Sequence, residues 1–456
     1  MFIRNASEKN GEKMTQNLVG TLTRRSVLKL VGLAGAAGAA GSFIAQSAVA
    51  ATSKINKKGS GVVNYWNHFT GADERAAFKK VTDGFATASP KIQLKVQTIT
   101  NDDWMTKYVA SVAAQSGPDA LMMTAPRFGD MLKLGGVQDI STYVNQWPGA
   151  AECRDSLKAF QTKGKTYGVP VFTFVDWLYY RKDLFDAAGI KEAPKTLKEF
   201  RQAAIALSNP SKGIYGFGMR GGSGGGGFVP RLIHAYNGPI INPRTLTRTV
   251  RFEALRDALA FWVNLAVKDK AVPPTVTGDA YVQIMQGLAT GKTAMVMHHT
   301  GSFVTAGTYW KYGTQLETAP MPTGPKGPTG FTSPLANAMF KGAKNPDGAF
   351  EFLSYWGSAP AQVEFLKATG YFPTASSASQ DVYVQATPQY KAAFDALKNG
   401  YIEYTFPGYD VWTANTCLPE LQKALNGSQK IDTSARNIYN ELGRICQANS
   451  KALFKK

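Results

Sequence analysis

Apolar residues recur along this chain with two periods, and the alternation between them predicts its elements. In 72–87 the residues Phe78, Val81 and Phe85 fall on one face of a 3.6-residue repeat, the mark of an amphipathic helix. Residues 61–66 read as a strand, 92–99 alternate with period two as a second strand, 103–114 are helical, and 120–123 form a third, buried strand. Strands separated by helices predict parallel βαβ units in an open, doubly wound sheet. Ligands bind beyond the carboxyl ends of such strands, here at 67–70 and 124–127. A second α/β block begins near Val169, with a strand at 177–180, a helix at 197–207, a glycine-rich loop at 216–227, a helix at 252–267 and a strand at 294–298. A Pro/Gly connector at 320–330 precedes a strand at 336–340, a helix at 346–356 and closing helices at 388–397, 413–425 and 433–448.

Length and composition add two domains and a destination. A chain of 456 residues exceeds what one core fills, and 44% hydrophobic with 18% charged residues describes an ordinary globular protein. Six of the 51 basic and two of the 32 acidic residues lie in 1–50, so the remainder still carries +15 of the formal +19. These charges are dispersed, with no run interleaved by aromatics, so no nucleic-acid groove is predicted. At the N-terminus, Thr23-Arg24-Arg25-Ser26-Val27-Leu28-Lys29 is followed by the apolar stretch 30–45 and the small-residue site Ala48-Val49-Ala50. That order describes a cleavable export signal over 1–50, and the paired arginines resemble the twin-arginine type, so a periplasmic protein with a linker at 51–58 is expected. Among the cysteines, Cys153, Cys417 and Cys446, either a Cys417–Cys446 disulfide or three buried thiols fit an oxidising compartment.

Enzyme motifs fail on their context. Gly216-Phe217-Gly218-Met219-Arg220-Gly221 spells G-x-G-x-x-G, yet it runs into Ser223 and Gly224 to Gly227 rather than a helix, and no acidic residue follows before Glu253. Gly291-Lys292-Thr293 lacks the upstream glycine of a phosphate loop, since position 286 is Gln286, and reads as a helix-to-strand turn. His68, His234, His298 and His299 have no metal-ligand spacing. Neither an enzyme nor a cofactor nor a metal is expected, with an exported oxidoreductase as the distant alternative.

Four segments then carry a resemblance. They are Ser116-Gly117-Pro118-Asp119 with Arg127-Phe128-Gly129; Tyr167-Gly168-Val169-Pro170 with Leu178 to Phe185 and Pro194-Lys195-Thr196; Gly291 to Met295 with Gly301-Ser302-Phe303; and Asn345-Pro346 through Phe352-Leu353 to Thr369-Gly370-Tyr371-Phe372-Pro373. In this order and spacing the chain resembles the extracellular solute-binding proteins of ABC importers, in the maltose-binding and glycerol-phosphate-binding branch. The resemblance implies the periplasmic binding protein fold, two doubly wound α/β lobes joined by three hinge crossings near 172–175, 331–336 and 370–374. Lobe one is then 59–172 with 336–370, and lobe two 175–331 with 374–456. It also implies a monomer that captures a small polar ligand by hinge closure and presents it to ABC permease subunits.

Carried onto this sequence, the cleft draws Asn67, His68 and Phe69 from the first strand end and Thr124 and Arg127 from the third. The first crossing supplies Thr173, Phe174 and Asp176, and lobe two Trp177, Phe228, His299 and Phe303. Tyr371 and Trp412 complete it. The maltose pattern is rich in carboxylates, but the positions aligned with its acidic contacts hold His68, Thr106, Pro126 and Phe174, and Met123 replaces a tryptophan. A sugar or sugar derivative is the expected ligand. Arg127, with His68, Arg220 and His299 nearby, makes an anionic polyol the alternative.

Overall fold

In a computed structural model of the protein, residues 59–454 are described, apart from 102, 400 and 403–405. The export signal and the linker at 51–58 lie outside the described residues.

Helix α1 (Ala72–Ala88) buries Ala77, Phe78, Val81 and Phe85, the face its periodicity announces, and the Glu74 carboxylate accepts the Gly71 amide at 2.8 Å at its N-terminus. It connects β1 (Gly61–Asn67) to β2 (Ile92–Thr98), which pair in parallel, and β3 (Ala120–Thr124) follows α2 (Trp104–Ala113) to pair in parallel on the other side of β1. Asp119 fastens this unit together. Its buried carboxylate accepts the Asn64 amide at 2.8 Å and the Lys344 and Asn345 amides at 2.7 and 2.9 Å, so the segment 116–119 is a structural tie.

The parallel pairing predicted from the first three strands holds, and the sheet as a whole is mixed. After α3 (Ala125–Leu134) and the hairpin of β4 (Gln161–Thr162) and β5 (Lys165–Thr166) comes β6 (Val169–Tyr180). Then follow α4 (Leu197–Ala206), β7 (Tyr215–Gly218), α5 (Phe228–Asn237), α6 (Phe252–Val267), α7 (Tyr281–Ala289), β8 (Thr293–His299), β9 (Glu317–Pro320) and β10 (Phe331–Met339). The C-terminal part adds α8 (Pro346–Trp356), α9 (Ala359–Thr369), α10 (Pro388–Asn399), β11 (Tyr401–Ile402), α11 (Leu418–Leu425) and α12 (Ile431–Phe454). The strand order is β2-β1-β3-β10-β6-β8-β7, with β11 on β10 and β9 on β6. β10 is antiparallel to both β3 and β6, and β6 is antiparallel to β8 and β9.

β6 is the element that organises the molecule. Its first half pairs with β10 from Val169 to Val175, and its second half pairs with β8 from Asp176 to Tyr180. Sequence pattern located only the second half, because a strand buried along both flanks carries no polar alternation to read. Helices α5, α7 and α9 and strands β7 and β9 also lie outside the predicted elements; each is short or too uniformly apolar for periodicity to resolve.

Buried apolar residues among those described form three clusters. One runs from Val63 to Phe172 and returns with Leu335 to Phe365. A second joins Leu178 to Met297 with Phe406 to Cys446. A third lies around Val175, Trp177 and Tyr179 with Phe303, Phe372 and Tyr390, and takes Val363 and Leu366 from α9. Cys153, Cys417 and Cys446 are buried thiols, so the alternative of a Cys417–Cys446 disulfide is set aside.

The glycine-rich segment is neither a dinucleotide nor a phosphate loop. Gly216, Phe217 and Gly218 belong to β7, and the backbone after it is pressed against its surroundings: a Cβ at Gly226 would lie 2.1 Å from the Thr413 carbonyl oxygen. Glycine is required there by close approach of two backbones. Gly291 likewise turns the chain from α7 into β8 at φ +71°.

Candidate functional site

Where β6 passes from one half of the sheet to the other, alternate side chains point to opposite faces. Thr173, Val175 and Trp177 are buried, while Phe174 and Asp176 are only partly covered. Phe174 and Asp176 therefore share the open face, and a further stretch of chain meets them. Thr173 exchanges backbone hydrogen bonds with Phe372 at 2.7 and 3.0 Å, which brings Tyr371 alongside.

A column of rings forms at this junction. Phe174 stacks on His299 at 3.9 Å between centroids, His299 lies tilted against His298 at 4.0 Å, and His298 lies tilted against Tyr281 at 4.8 Å. Tyr371 meets Phe174 edge-on at 4.8 Å and donates its hydroxyl to Glu74 Oε1 at 2.6 Å. Asp176 accepts Arg231 Nε at 2.8 Å and the Phe331 amide at 3.1 Å. Arg231 also donates to the Gly227 carbonyl, one turn back.

Burial sets the protonation here. His299 is pushed down to about 3 and His298 well below the usual histidine range, first by burial, with Arg220 and Arg231 opposing a further positive charge on either. His299 Nδ1 accepts the Gly301 amide at 3.1 Å, which leaves the proton of the neutral ring on Nε2. Tyr371 is raised by burial and then by the Glu74 carboxylate, so its hydroxyl stays a donor.

A second group forms at the ends of β1 and β3. Buried Asn67 accepts from the Phe69 amide at 3.0 Å and from Thr98 Oγ1 at 3.1 Å, and its Nδ2 has no partner among the described residues. His68 lies edge-on to Trp104 at 5.7 Å and is lowered to about 4 by burial and then by Arg127. Thr124 is half-buried at the N-cap of α3. Arg127, one turn into α3, reaches Asp410 at 3.6 Å and donates to the Asn101 carbonyl at 3.1 Å. Its Nη1 is buried with no hydrogen-bond partner among the described residues, so protein groups answer the guanidinium only in part.

The structure brings Phe174, Asp176, His299 and Tyr371 together, with Thr173 buried behind them. It does not bring four others into the open. Phe69 is 1% exposed and ringed by Phe78, Phe172, Trp356 and Phe365. Trp177 and Phe303 pack edge-on at 5.8 Å in the third cluster, and Trp412 is fully buried with Nε1 directed at the Ile438 carbonyl. These are core residues, a correction that follows for Trp177 from strand register. Phe228 is half-buried and stacked on Trp262 at 5.8 Å, on the flank of the second cluster. Sequence reasoning missed Glu74, Arg231, Tyr281, His298 and Asp410. Only Arg231 left a signal, as the cation in the first turn of the helix that follows the glycine-rich loop.

A family model described as bacterial extracellular solute-binding protein matches residues 70–363. A putative binding protein of Brucella abortus is 25% identical over 327 residues, 70% of this chain and 77% of that one. The mannitol-binding protein of Pseudomonas aeruginosa is 27% identical over 259 residues, 54% of this chain and 57% of the other. In fold, the chain is similar to the GacH receptor of Streptomyces glaucescens, with a TM-score of 0.74, 23% identity, and coverage of 84% of this chain and 99% of the receptor.

Proposed function

This chain belongs to the bacterial extracellular solute-binding proteins, and on that footing we propose that it is the ligand-capturing subunit of an ABC importer for a sugar or sugar derivative. The observation that carries the reading is the junction on β6, where one continuous strand serves both halves of the sheet and presents a ring column beside polar groups. Aromatic faces suit the apolar face of a sugar or polyol, and the His299 Nε2–H and the arginines suit its oxygens. The similarity to a mannitol-binding protein supports a ligand of this size and polarity.

In this reading lobe one is 59–172 with 336–370 and lobe two is 175–331 with 374–456, and the crossings near 172–175, 331–336 and 370–374 are hinges. Ligand touching Phe174, His299 and Tyr371 together gains contacts only in the closed form, and that differential affinity shifts the population the permease engages. Residues 1–50 serve as a twin-arginine-type signal, the mature protein works as a periplasmic monomer, and no catalytic step is assigned to it.

The test is a thermal-shift screen of sugars and polyols together with small-angle scattering. A ligand at a hundredfold its Kd stabilises by about 2.7 kcal/mol and should also reduce the radius of gyration. If no sugar or polyol moves either quantity, the assignment fails.

A further inference from the structure

The turn that leaves β8 fixes where the protons of two neighbouring rings sit. It is pinned on both sides: the Tyr179 hydroxyl donates to the His299 carbonyl at 2.9 Å, and the Val175 amide donates to Thr300 Oγ1 at 3.4 Å. A Cβ at Gly301 would lie 2.9 Å from the His299 ring and 2.9 Å from Tyr371, so glycine lets the backbone close on His299 and give its amide to Nδ1 at 3.1 Å. His299 therefore carries its proton on Nε2. Ser302 treats His298 in the opposite way. Its Oγ lies 2.7 Å from His298 Nδ1 and donates to the Tyr281 hydroxyl oxygen at 3.2 Å. A serine hydroxyl has one proton. Given to Tyr281, it leaves Ser302 only as an acceptor toward His298, so both contacts are hydrogen bonds only when the ring proton is on Nδ1. Burial keeps the ring neutral, and its Nε2 then carries a lone pair. His298 keeps 7% exposure and His299 more, so neither ring is wholly closed off.

Side by side at 4.0 Å between centroids, the two rings thus have opposite polarity, an acceptor on His298 and a donor on His299. A hydroxyl both donates and accepts, whereas an ether or carboxylate oxygen only accepts. We propose that Ser302 and Tyr281 are positioning residues that hold His298 as the Nδ1–H tautomer, and that the acceptor and donor so paired select a ligand with a free hydroxyl at this point. This rests on the sugar-capture reading and deepens it: an oxygen that cannot donate leaves the partly desolvated His298 lone pair unanswered. The direction of the relay is the reverse of a serine nucleophile activated by a histidine base, in which the hydroxyl donates to the ring. Ser302 is also 0% exposed. Its part is to decide which nitrogen of His298 holds the proton.

Nitrogen NMR of the ligand-free protein, isotope-labelled at histidine, reads the tautomers directly, with His298→Asn and His299→Asn assigning the two signals. The parent should show His298 protonated on Nδ1 and His299 on Nε2. Tyr281→Phe removes the acceptor of the Ser302 proton, so that hydroxyl should turn to His298 Nδ1 and drive the ring proton to Nε2. Ser302→Ala should shift the same proton by removing the acceptor for Nδ1–H, and His299 should stay unchanged in both. A His298 proton on Nε2 in the parent, or one that remains on Nδ1 in Tyr281→Phe, overturns the assignment. Isothermal titration then tests the selection, with mannitol as the probe, or the tightest binder of the sugar screen where mannitol does not bind. Ser302 is buried behind His298 and acts on the ligand only through it, so Ser302→Ala should weaken the probe at least ~10-fold, about 1.4 kcal/mol. Unchanged affinity beside a shifted tautomer overturns the selection and leaves sugar capture standing. If no sugar or polyol binds the parent, sugar capture fails and the selection with it, while the tautomer assignment is judged by the spectra alone. Should Ser302→Ala not fold by circular dichroism, Tyr281→Phe serves in both measurements.

Discussion

Replacing Asp176 by Asn isolates the charge that holds the centre of β6. Asn is nearly isosteric, and its Oδ1 can still accept the Phe331 amide now bound at 3.1 Å. What it removes is the negative charge facing Arg231 Nε at 2.8 Å, in a side chain only 9% exposed. Breaking a buried ion pair by deleting one partner costs about 3–5 kcal/mol, because the remaining charge is left uncompensated. Arg231 keeps 20% side-chain exposure, so solvent screens part of that loss and about 2–3 kcal/mol is expected. Arg220 lies near enough to repel Arg231, which works against further relief. The assay is urea unfolding followed by circular dichroism, read as a fall in midpoint at unchanged slope. Adding Arg231→Gln should recover about 1–2 kcal/mol, a positive coupling in the double-mutant cycle. A single variant within about 0.5 kcal/mol of the parent, the ordinary range for surface changes, would refute the account of Asp176 as the counter-charge of the junction.

Three further outcomes are expected. Gly226→Ala puts a Cβ 2.1 Å from the Thr413 carbonyl oxygen, an overlap between two backbones that should cost more than about 3 kcal/mol or prevent folding; near-native stability would show that this corner yields. His68 and His299 have folded pKa values of about 4 and about 3, below the ordinary 6.5, so the unfolded chain takes up their protons first as pH falls. The stability they contribute is complete above about pH 6.5 and declines toward pH 4 by up to about 1.4 kcal/mol per pH unit for each ring; urea midpoints at pH 7 and 5 should therefore converge in His68→Asn and His299→Asn relative to the parent, and equal pH sensitivity in all three would contradict the sign. Arg127→Gln removes the contact to Asp410 at 3.6 Å, whose acid is 49% exposed, so a loss of only about 0.5–1 kcal/mol is expected in urea unfolding; a loss of about 3 kcal/mol, the range of a buried pair, would contradict that weighting.

The sequence by itself carried the α/β alternation, the amphipathic face of α1 and the family resemblance, because these rest on local periodicity and on short segments in a fixed order. The resemblance also named Phe174, His299 and Tyr371, whose rings the fold brings together. Tertiary structure decided the rest, for reasons of register and contact. Phe174 and Trp177 are three positions apart in β6, yet period two sends one to the open face and the other to the core, and the length of β6 depends on partners as distant as β10. Arg127 and Arg220 read alike as cations near a cleft. Only the folded chain shows that Asp410 comes within 3.6 Å of the first, while the loop around Gly224 closes over the second. Charge compensation is a matter of distances between residues far apart in sequence, and no local pattern encodes it.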